Sequence, residues 1–550
     1  MTIQTRQQPS GTSPLAPLRE PMFRTLWLAN LGSSFGGLIQ GVGAAWLMTS
    51  LTDSANMVAL VQASTTLPVM LFSLLGGAIA DGFNRRAVMI AAQLFMLITS
   101  VLLVVVTYTG LVTPWLLLVF TFLVGCGLAF NNPSWQASVA DLVPRPVLPA
   151  AVALNSIGFN LSRSFGPAVG GAIVAAAGAA AAFAINAVSY VGLVVALLFW
   201  KPPARDPDTL PREVMGAALM SGLRYVAMSP NIARILVRSF VFGLLAIAIL
   251  ALLPVAAAAL PEGGPLIYGV LLGAFGIGAV GGALLSARLQ EDVSAEALVR
   301  FAFLGFAVSA LVLAFSSSAI LIAVGLMVGG ASWVLALSLF NVSVQLSSPR
   351  WVLGRALSVY QTAVFGGMAL GSWLWGMMAD GFGLSVAFMV VAGCLAVGAL
   401  MGLWLPLPPR ASMDLDPLNL WQTPHVELDV EPRSGPVVIE ITYRIRPENV
   451  AAFLRVMAER QRIRRRDGAR RWRLLRDMAD PVLWTETYEA PTWTEYVRYN
   501  LRLTKADAAV REQLRALHDS DAPPAVRRLI ERPTTWLSAV RSPSADLGPQ

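Results

Sequence analysis

Gly77, Asp81, Arg85 and Arg86 lie in the stretch GAIADGFNRR, between two long apolar segments. A carboxylate at the edge of a bilayer is costly unless paired, and two arginines follow it one helical turn later. Gly77, one turn earlier, lets a neighbouring helix approach closely. These residue types suit a charge latch that holds two helices in one conformation and releases them in another. The alternative is a helix end with ordinary flanking charges. A second group is Gly166, Pro167, Gly170 and Gly171. Its proline removes an intrahelical hydrogen bond and its glycines permit close packing, which suits either a gate or plain small-residue packing. Arg163, just before it, is the ionisable side chain placed well inside an apolar run. A central arginine costs about 2.5–3.5 kcal/mol on insertion scales, so it must face protein or a watered cavity. It either attracts an anionic or catechol-like substrate group, or bonds helix carbonyls and snorkels to the membrane edge.

Polar amides fill out the candidate substrate contacts: Asn30, Gln40, Asn155, Asn160, Asn186, Asn341 and Gln361. A buried amide needs a partner, so each contacts substrate or bonds another helix. Trp46, Trp135, Phe240 and Trp373 are possible apolar linings for a lipophilic ligand.

The elements that carry these residues are set by composition. Hydrophobic residues make up 56% of the chain and charged residues 13%, against about 25% charged in soluble domains, so the chain is read as a membrane protein. Apolar runs of the length needed to cross a bilayer recur and stop near Leu407. Twelve spans are expected, near 25–50, 57–80, 87–109, 114–133, 149–176, 180–200, 236–260, 266–287, 298–316, 319–342, 356–379 and 384–406. The links that hold Arg85 and Arg86, Arg145, Lys201 to Arg234, Arg288 and Arg300, and Arg350 and Arg355 fall on one side. The links around Asp53, Gly110, Gly178, Glu262, Ser317 and Gly381 contain no Lys or Arg. By the positive-inside rule both termini are cytoplasmic. Cys126 and Cys394 sit inside apolar runs and read as small core residues, not as a disulfide.

The expected divisions are a cytoplasmic tail over 1–21, six helices over 22–200, a cytoplasmic loop over 201–235, six more over 236–407, a linker over 408–435 and a polar domain over 436–540. Within the loop, Met215, Leu219, Leu223 and Val226 recur at helical spacing, which predicts a helix along the membrane surface. A parallel repeat supports the six-and-six split: Pro144-Arg145 matches Pro349-Arg350, Leu148 matches Leu353, Gly166 matches Gly371, and Gly171 matches Gly376. Parallel repeats of this kind build transporters with a central site.

The run from Gly77 to Arg86 resembles the signature of the major facilitator superfamily between spans two and three. Gly166-Pro167-x-x-Gly170-Gly171 resembles the core of the antiporter-associated motif there, with Ser162 and Ala153 standing near where its upstream glycines would fall. NNPSWQASVADLVP, followed by ALN and RSFGPAVGG, resembles the branch that includes the enterobactin exporter. RRRDGARRWRLLRD resembles a tail of the subgroup labelled transmembrane secretion effectors. The resemblance implies an all-α membrane protein of twelve transmembrane helices in two parallel six-helix halves. It also implies export of a small organic molecule across the bacterial inner membrane, driven by protons. No mid-membrane Asp or Glu offers itself as a proton carrier, and no GxxxxGK[ST] loop is present, which argues against ATP-driven transport.

From Pro436 the periodicity changes. Val437, Ile439, Ile441, Tyr443 and Ile445 alternate with polar residues, as in a half-buried strand. Val450, Phe453, Leu454 and Met457 form a helix face, two strands follow at 470–476 and 483–488, and Thr492-x-x-Glu495 opens another helix. With a last strand near Trp536, the order predicts a small cytoplasmic ferredoxin-like α+β domain. It is similar to the antibiotic-biosynthesis monooxygenase fold, whose members pair into dimers. His518 lacks a cysteine or histidine neighbour, and no cofactor, metal site or nucleic-acid surface is expected. The arginines from Arg460 to Arg476 meet anionic lipid or an acidic partner, or form a solvated face. The leading expectation is therefore an exporter of a siderophore-like or drug-like amphiphile. Its rivals are a nutrient importer of the same fold and a membrane-anchored enzyme or sensor that acts through the tail.

Overall fold

A computed structural model describes residues 15–201, 215–349, 351–408 and 426–532, with 415, 418 and 424 between them; the side chains of 80–82, 145, 215, 217, 218 and 287 are outside it. Expectations for the Asp81 side chain, for Arg350 and for Trp536 therefore lie outside the described residues. The helices in chain order are α1 (Pro21–Leu51), α2 (Ala55–Gly82), α3 (Arg85–Tyr108), α4 (Pro114–Leu142), α5 (Leu148–Phe199), α6 (Met215–Ala227), α7 (Pro230–Ala258), α8 (Pro265–Asp292), α9 (Ala295–Phe315), α10 (Ala319–Leu346), α11 (Leu353–Phe382) and α12 (Leu384–Ala399). The chain forms two units: Met1–Arg205 with Arg234–Val344 and Leu357–Leu407, and Asp206–Ala233 with Gln345–Ala356 and Pro408–Gln550.

In the first unit, nine helices among the described residues are long and apolar enough to span a bilayer, with the whole of α5 counted as one. A straight helix of its 52 residues would run about 78 Å, against a hydrocarbon core of about 30 Å. Gly178 breaks it with a φ of +77°, a conformation that costs a glycine little. Two consecutive spans thus join with no loop between them. Helices α1 and α11 are as long as the others but richer in glycine, serine and amides. Outward positions such as Ile98, Leu102, Phe159 and Val188 are exposed, the pattern of helices solvated by lipid.

Small residues set the helix contacts. A Cβ built on Gly171 would stand 2.8 Å from Gly269 Cα, and one on Gly276 would stand 2.6 Å from Ser164 Cα. Helices α5 and α8 are therefore in backbone contact from Gly171 to Arg163. Gly170 packs on α1, where its Cβ would lie 3.0 Å from Ile39 Cα, and Gly166 meets the Leu38 side chain at the same distance of 3.0 Å. The repeat partners behave alike: Gly371 abuts Leu244 O on α7, and a Cβ on Gly376 would lie 2.8 Å from Asn56 Cα on α2. So α5 packs on α1 and α8 in the way that α11 packs on α7 and α2. Phe242, Phe275, Phe303, Phe306, Trp333 and Phe340 from α7 to α10 form one aromatic cluster, with ring centroids 5.1–6.3 Å apart.

The second unit holds an antiparallel sheet of β1 (Val437–Arg444), β2 (Arg470–Arg476), β3 (Leu483–Ala490) and β4 (Ala525–Ile530), in the order β2-β3-β1-β4. Helices α13 (Val450–Asp467), α14 (Trp493–Leu501) and α15 (Lys505–Leu517) accompany it. The last described strand is Ala525–Ile530, where charge-rich AVRRLI masked the alternation that would have marked it. This strand pairs with β1 along its length, and the strand expected near Trp536 lies outside the described residues. Phe453, Met457, Tyr443, Trp484 and Tyr488 form the core.

Helix α6 occurs where the spacing predicts it, but its buried side is Ser221, Tyr225 and Val226, while Leu223 and Met220 are exposed. Arg466 of α13 covers the Tyr225 ring at 5.3 Å and its carbonyl accepts from Arg224 Nε at 3.3 Å. In the same unit Arg502 lies 4.2 Å over the Trp351 ring, Trp351 meets Tyr225 edge-on at 5.5 Å, and Arg355 donates to Ser221 Oγ at 3.0 Å. The α+β domain is thus packed with two segments that lie, in sequence, between spans.

Inside the domain Glu486 is fully buried. It accepts from Trp472 Nε1 at 3.0 Å and Tyr443 OH at 3.0 Å, and ion-pairs Arg460 at 3.4 Å and Arg464 at 3.5 Å. Burial by itself raises its pKa, but the two guanidiniums and two hydrogen bonds together hold it below the ordinary 4.5. Its stabilising contribution is full above 4.5 and is lost as pH falls through the lower folded value. Hydrogen exchange of β1 and β3 in the full chain should show loss of protection on acidification below that range, with a smaller pH response in Glu486→Gln. At α5–α8, Gly276→Leu should destabilise the protein by about 1–3 kcal/mol in thermal unfolding. Gly281→Ala, whose Cβ meets nothing within 4 Å, should leave the midpoint unchanged.

Candidate functional site

The first cluster gathers at the joined ends of α2, α3 and α4. Asn84 caps α3, its side chain accepting from the N–H of Arg86 at 3.0 Å, and so presents both arginines on the first turn. Arg85 Nη1 donates to Asp141 Oδ2 and to Ala137 O of α4, each at 2.8 Å. Arg86 Nε donates to Leu197 O at 2.9 Å and Nη2 to Leu198 O at 2.8 Å. It caps the end of α5, where unsatisfied carbonyls favour a cation. A Cβ on Gly77 would meet Ser358 Oγ of α11 at 3.1 Å, and its neighbour Gly76 is tighter, 2.6 Å from Ala129 O of α4. The cluster is therefore wider than its sequence motif. Asp141, 56 residues beyond Arg85 in the chain, is the described carboxylate that pairs with it.

A second ion pair was not singled out from the sequence. Arg238 of α7 is fully buried and binds Glu296 of α9 through Nη1 and Nη2, at 2.6 and 3.0 Å, and Nη1 also donates to Leu405 O at 3.1 Å. Glu296 Oε2 accepts the Leu407 N–H at 3.1 Å. The pair ties the starts of α7 and α9 to the chain after α12. The signal available was a lone arginine among apolar residues in ILVRSFVF, which reads equally well as a charge at a span's edge.

Arg163 sits on the α5 face that meets α8. Its guanidinium is 5.7 Å from the Phe275 centroid and 5.6 Å from that of Trp333, at the rim of the aromatic cluster. Among the described residues no carboxylate pairs with it, so ring faces supply its compensation. Beside it run Gly166, Pro167, Gly170 and Gly171, with Pro167 O 2.7 Å from a Cβ built on Gly269.

The amides divide. Gln40 and Asn186 are buried and bonded to each other at 2.5 Å, with Ser100 Oγ at 3.0 Å from Gln40 and Tyr190 OH at 2.9 Å from Asn186. They join α1, α3 and α5. Asn155 accepts from Trp135 Nε1 at 3.0 Å, and Asn160 donates to its own helix at Ser156 O at 2.8 Å. Asn30, Asn341 and Gln361 are half-buried. A further pair, Gln93 with Asn131 at 3.1 Å, ties α3 to α4.

At the opposite ends of the helices, Asp380 of α11 accepts from Ser54 Oγ at 2.6 Å and Ala55 N–H at 2.5 Å, which caps the start of α2. Ser73 and Thr362 hydroxyls meet at 2.9 Å midway along the same two helices. In the tail, His518 Nδ1 accepts the Arg444 N–H at 3.0 Å, a backbone bond.

Residues 12–534 match the family described as transmembrane secretion effector. The chain belongs to that family. It is thus a transporter of the major facilitator type and not a catalyst, a multi-pass membrane protein that moves a small molecule by secondary active transport. This transmembrane secretion effector is 25% identical over 402 residues to the multidrug efflux pump Tap of Mycolicibacterium fortuitum, a match that covers 70% of this chain and 96% of that one. It is 30% identical over 157 residues to the staphyloferrin A transporter of Staphylococcus aureus, over 28% of this chain and 39% of that one. Its fold is similar to that of a bacterial homologue of the lysosomal transporter Spinster in an inward-facing, occupied conformation. There the TM-score is 0.57 at 14% identity, over 72% of this chain and 97% of that one.

Arg238→Ala removes the nearer partner of Glu296, which keeps Arg300 at 3.5 Å and the Leu407 N–H, and should cost about 1–3 kcal/mol in stability. Thermal unfolding of purified protein should show that loss, with part of it recovered in Arg238→Ala/Glu296→Ala.

Proposed function

We propose that this transporter exports a small organic anion with an aromatic or otherwise amphiphilic body, by alternating access of two six-helix halves and in exchange for protons. Arg163 between Phe275 and Trp333 carries the reading. It is a cation at bilayer depth, held by ring faces and free of any carboxylate among the described residues, so an anionic group on a ligand can approach it without displacing a paired acid. The rings beside it suit the ligand's apolar part. The glycine contacts support two halves, because α1, α2 and α5 have counterparts in α7, α8 and α11. The α5–α8 and α2–α11 contacts are then the surfaces on which the halves rock. Arg85–Asp141 and Arg238–Glu296, with Asp81, serve as equivalent latches at the ends on the cytoplasmic side. The antiporter-like Gly-Pro run and the efflux pumps among the relatives favour export over import. The strand order β2-β3-β1-β4 supports reading the tail as a ferredoxin-like domain, on the cytoplasmic side by the positive-inside reading.

Everted inner-membrane vesicles that contain the full chain should accumulate a labelled catechol siderophore when a proton gradient is imposed. Arg163→Ala should lower that uptake by roughly thirtyfold, the loss of about 2 kcal/mol available to a desolvated cation. Equal transport of a lipophilic cation by both proteins, with no siderophore uptake, would reject the substrate assignment. Uptake into right-side-out vesicles alone would reverse the direction.

A further inference from the structure

The α+β domain contains a cavity of about 210 Å³, and its wall combines features that the transport reading does not use. Two sheet rows run in register across it, and Ile441, Val526, Tyr488 and Arg528 of them line it. Glu486 of β3 lies opposite Ile441 of β1, which lies opposite Val526 of β4; Tyr488 lies opposite Ile439, which lies opposite Arg528. Arg460 and Arg464, one turn apart on α13, close the cavity from the helix side and project from the same helix face. Tyr496 and Asn500, likewise one turn apart on α14, complete it, with Leu501 and Leu503 at the margin.

The charge in this wall does not balance locally. Among the described residues, Glu486 is the carboxylate that ion-pairs with Arg460 and Arg464, and it serves both. Its oxygens also accept from Trp472 Nε1 and Tyr443 OH, and Oε2 takes the Arg460 Nε–H at 3.4 Å. Arg464 is 6% exposed and its Nε makes no hydrogen bond. Its guanidinium lies 4.4 Å over the Tyr488 ring. Arg528 adds another cation at the rim, where its Nε donates to Tyr496 OH at 2.8 Å. The guanidiniums of Arg460, Arg464, Arg511 and Arg528 line the cavity and no carboxylate does among the described residues, so an anion that enters it meets positive charge. Apart from Arg511, Arg528 and Asn500, the remaining wall is aliphatic and aromatic. An anion with a large hydration shell would desolvate poorly there, whereas a flat apolar ring would not. A cavity of about 150 Å³ admits a benzene ring, so this one takes a single ring with a substituent.

We infer that the tail domain is a binding site for a one-ring aromatic carboxylate. Its carboxylate meets Arg464 and Arg460, and its ring lies among Tyr488, Ile441 and Val526. The site is separate from Arg163 and does not depend on the direction of transport.

Titration calorimetry of the full chain in lipid nanodiscs tests this with benzoate, salicylate, benzyl alcohol and inorganic phosphate as probes. Benzoate and salicylate should bind saturably. Benzyl alcohol, which keeps the ring without the charge, should bind at least about tenfold more weakly, as expected when a charge-assisted hydrogen bond is lost. Phosphate should neither bind nor compete. Val526→Trp, which fills the cavity while keeping every arginine, should abolish benzoate binding, as should Arg464→Gln in protein whose thermal unfolding shows an intact tail. Arg163→Ala should leave it unchanged. No saturable binding of benzoate, equal affinity for benzyl alcohol, competition by phosphate, persistence in Val526→Trp, or loss in Arg163→Ala would each overturn the assignment.

Discussion

In a lipid solvent the hydrophobic effect does not favour one helix over another, because acyl chains are as apolar as leucine; helices associate through close packing and a few polar bonds. That constraint shapes the whole first unit. Where a Cβ would strike a facing backbone, as at Gly171 against Gly269 or Gly276 against Ser164, α5 and α8 approach to a distance that larger residues forbid. Dispersion between two backbones replaces dispersion with lipid. Each added methyl would open the seam along its length, since the contacts recur every turn. The position of Arg163 follows from the same seam: close approach of α5 to α8 brings its guanidinium to the rings of Phe275 and Trp333.

Polar bonds are then confined to particular levels. Charged pairs, Arg85 with Asp141 and Arg238 with Glu296, occur where helices end. Neutral amides occupy the interior, as in Gln40–Asn186 and Gln93–Asn131. An ion pair at mid-depth would lose more hydration than its attraction returns. An amide pair loses less, and it specifies which helices meet. Such a division leaves the interior with directional but uncharged bonds, against which a lone arginine stands out.

Much of this was legible from residue order. Helix positions followed from apolar runs, and the glycines that repeat in sequence, Gly166 and Gly171 with Gly371 and Gly376, are ones that sit in close helix contacts. What escaped was pairing across the chain. The Arg85 partner lies 56 residues away, and no local pattern distinguishes Asp141 from a charge in a solvated link. Arg238 and Glu296 each looked like the flank of a span, because hydropathy records depth but not which neighbour lies opposite. Gln40 and Asn186 could not be told from cavity residues, since a buried amide has the same sequence signature in either role. In the tail, alternation revealed β1 and β3, whereas β4 has arginines at successive positions and exposed residues along most of its length.

The second unit has one more property that follows from how the chain threads through it. Its segments Asp206–Ala233, Gln345–Ala356 and Pro408 onward meet the first unit's segments at five points along the polypeptide: after Arg205, Ala233, Val344, Ala356 and Leu407. A domain hung from a single terminus can be lost in evolution by one stop codon, and the remainder is left whole. Here the same event would strip the cover from Tyr225 and Trp351, aromatic side chains that belong to the links between spans. The tail is accordingly woven into the chain as ballast is built into a keel. Gain or loss of such a domain within a lineage would require coordinated change in two inter-span links as well as at the terminus.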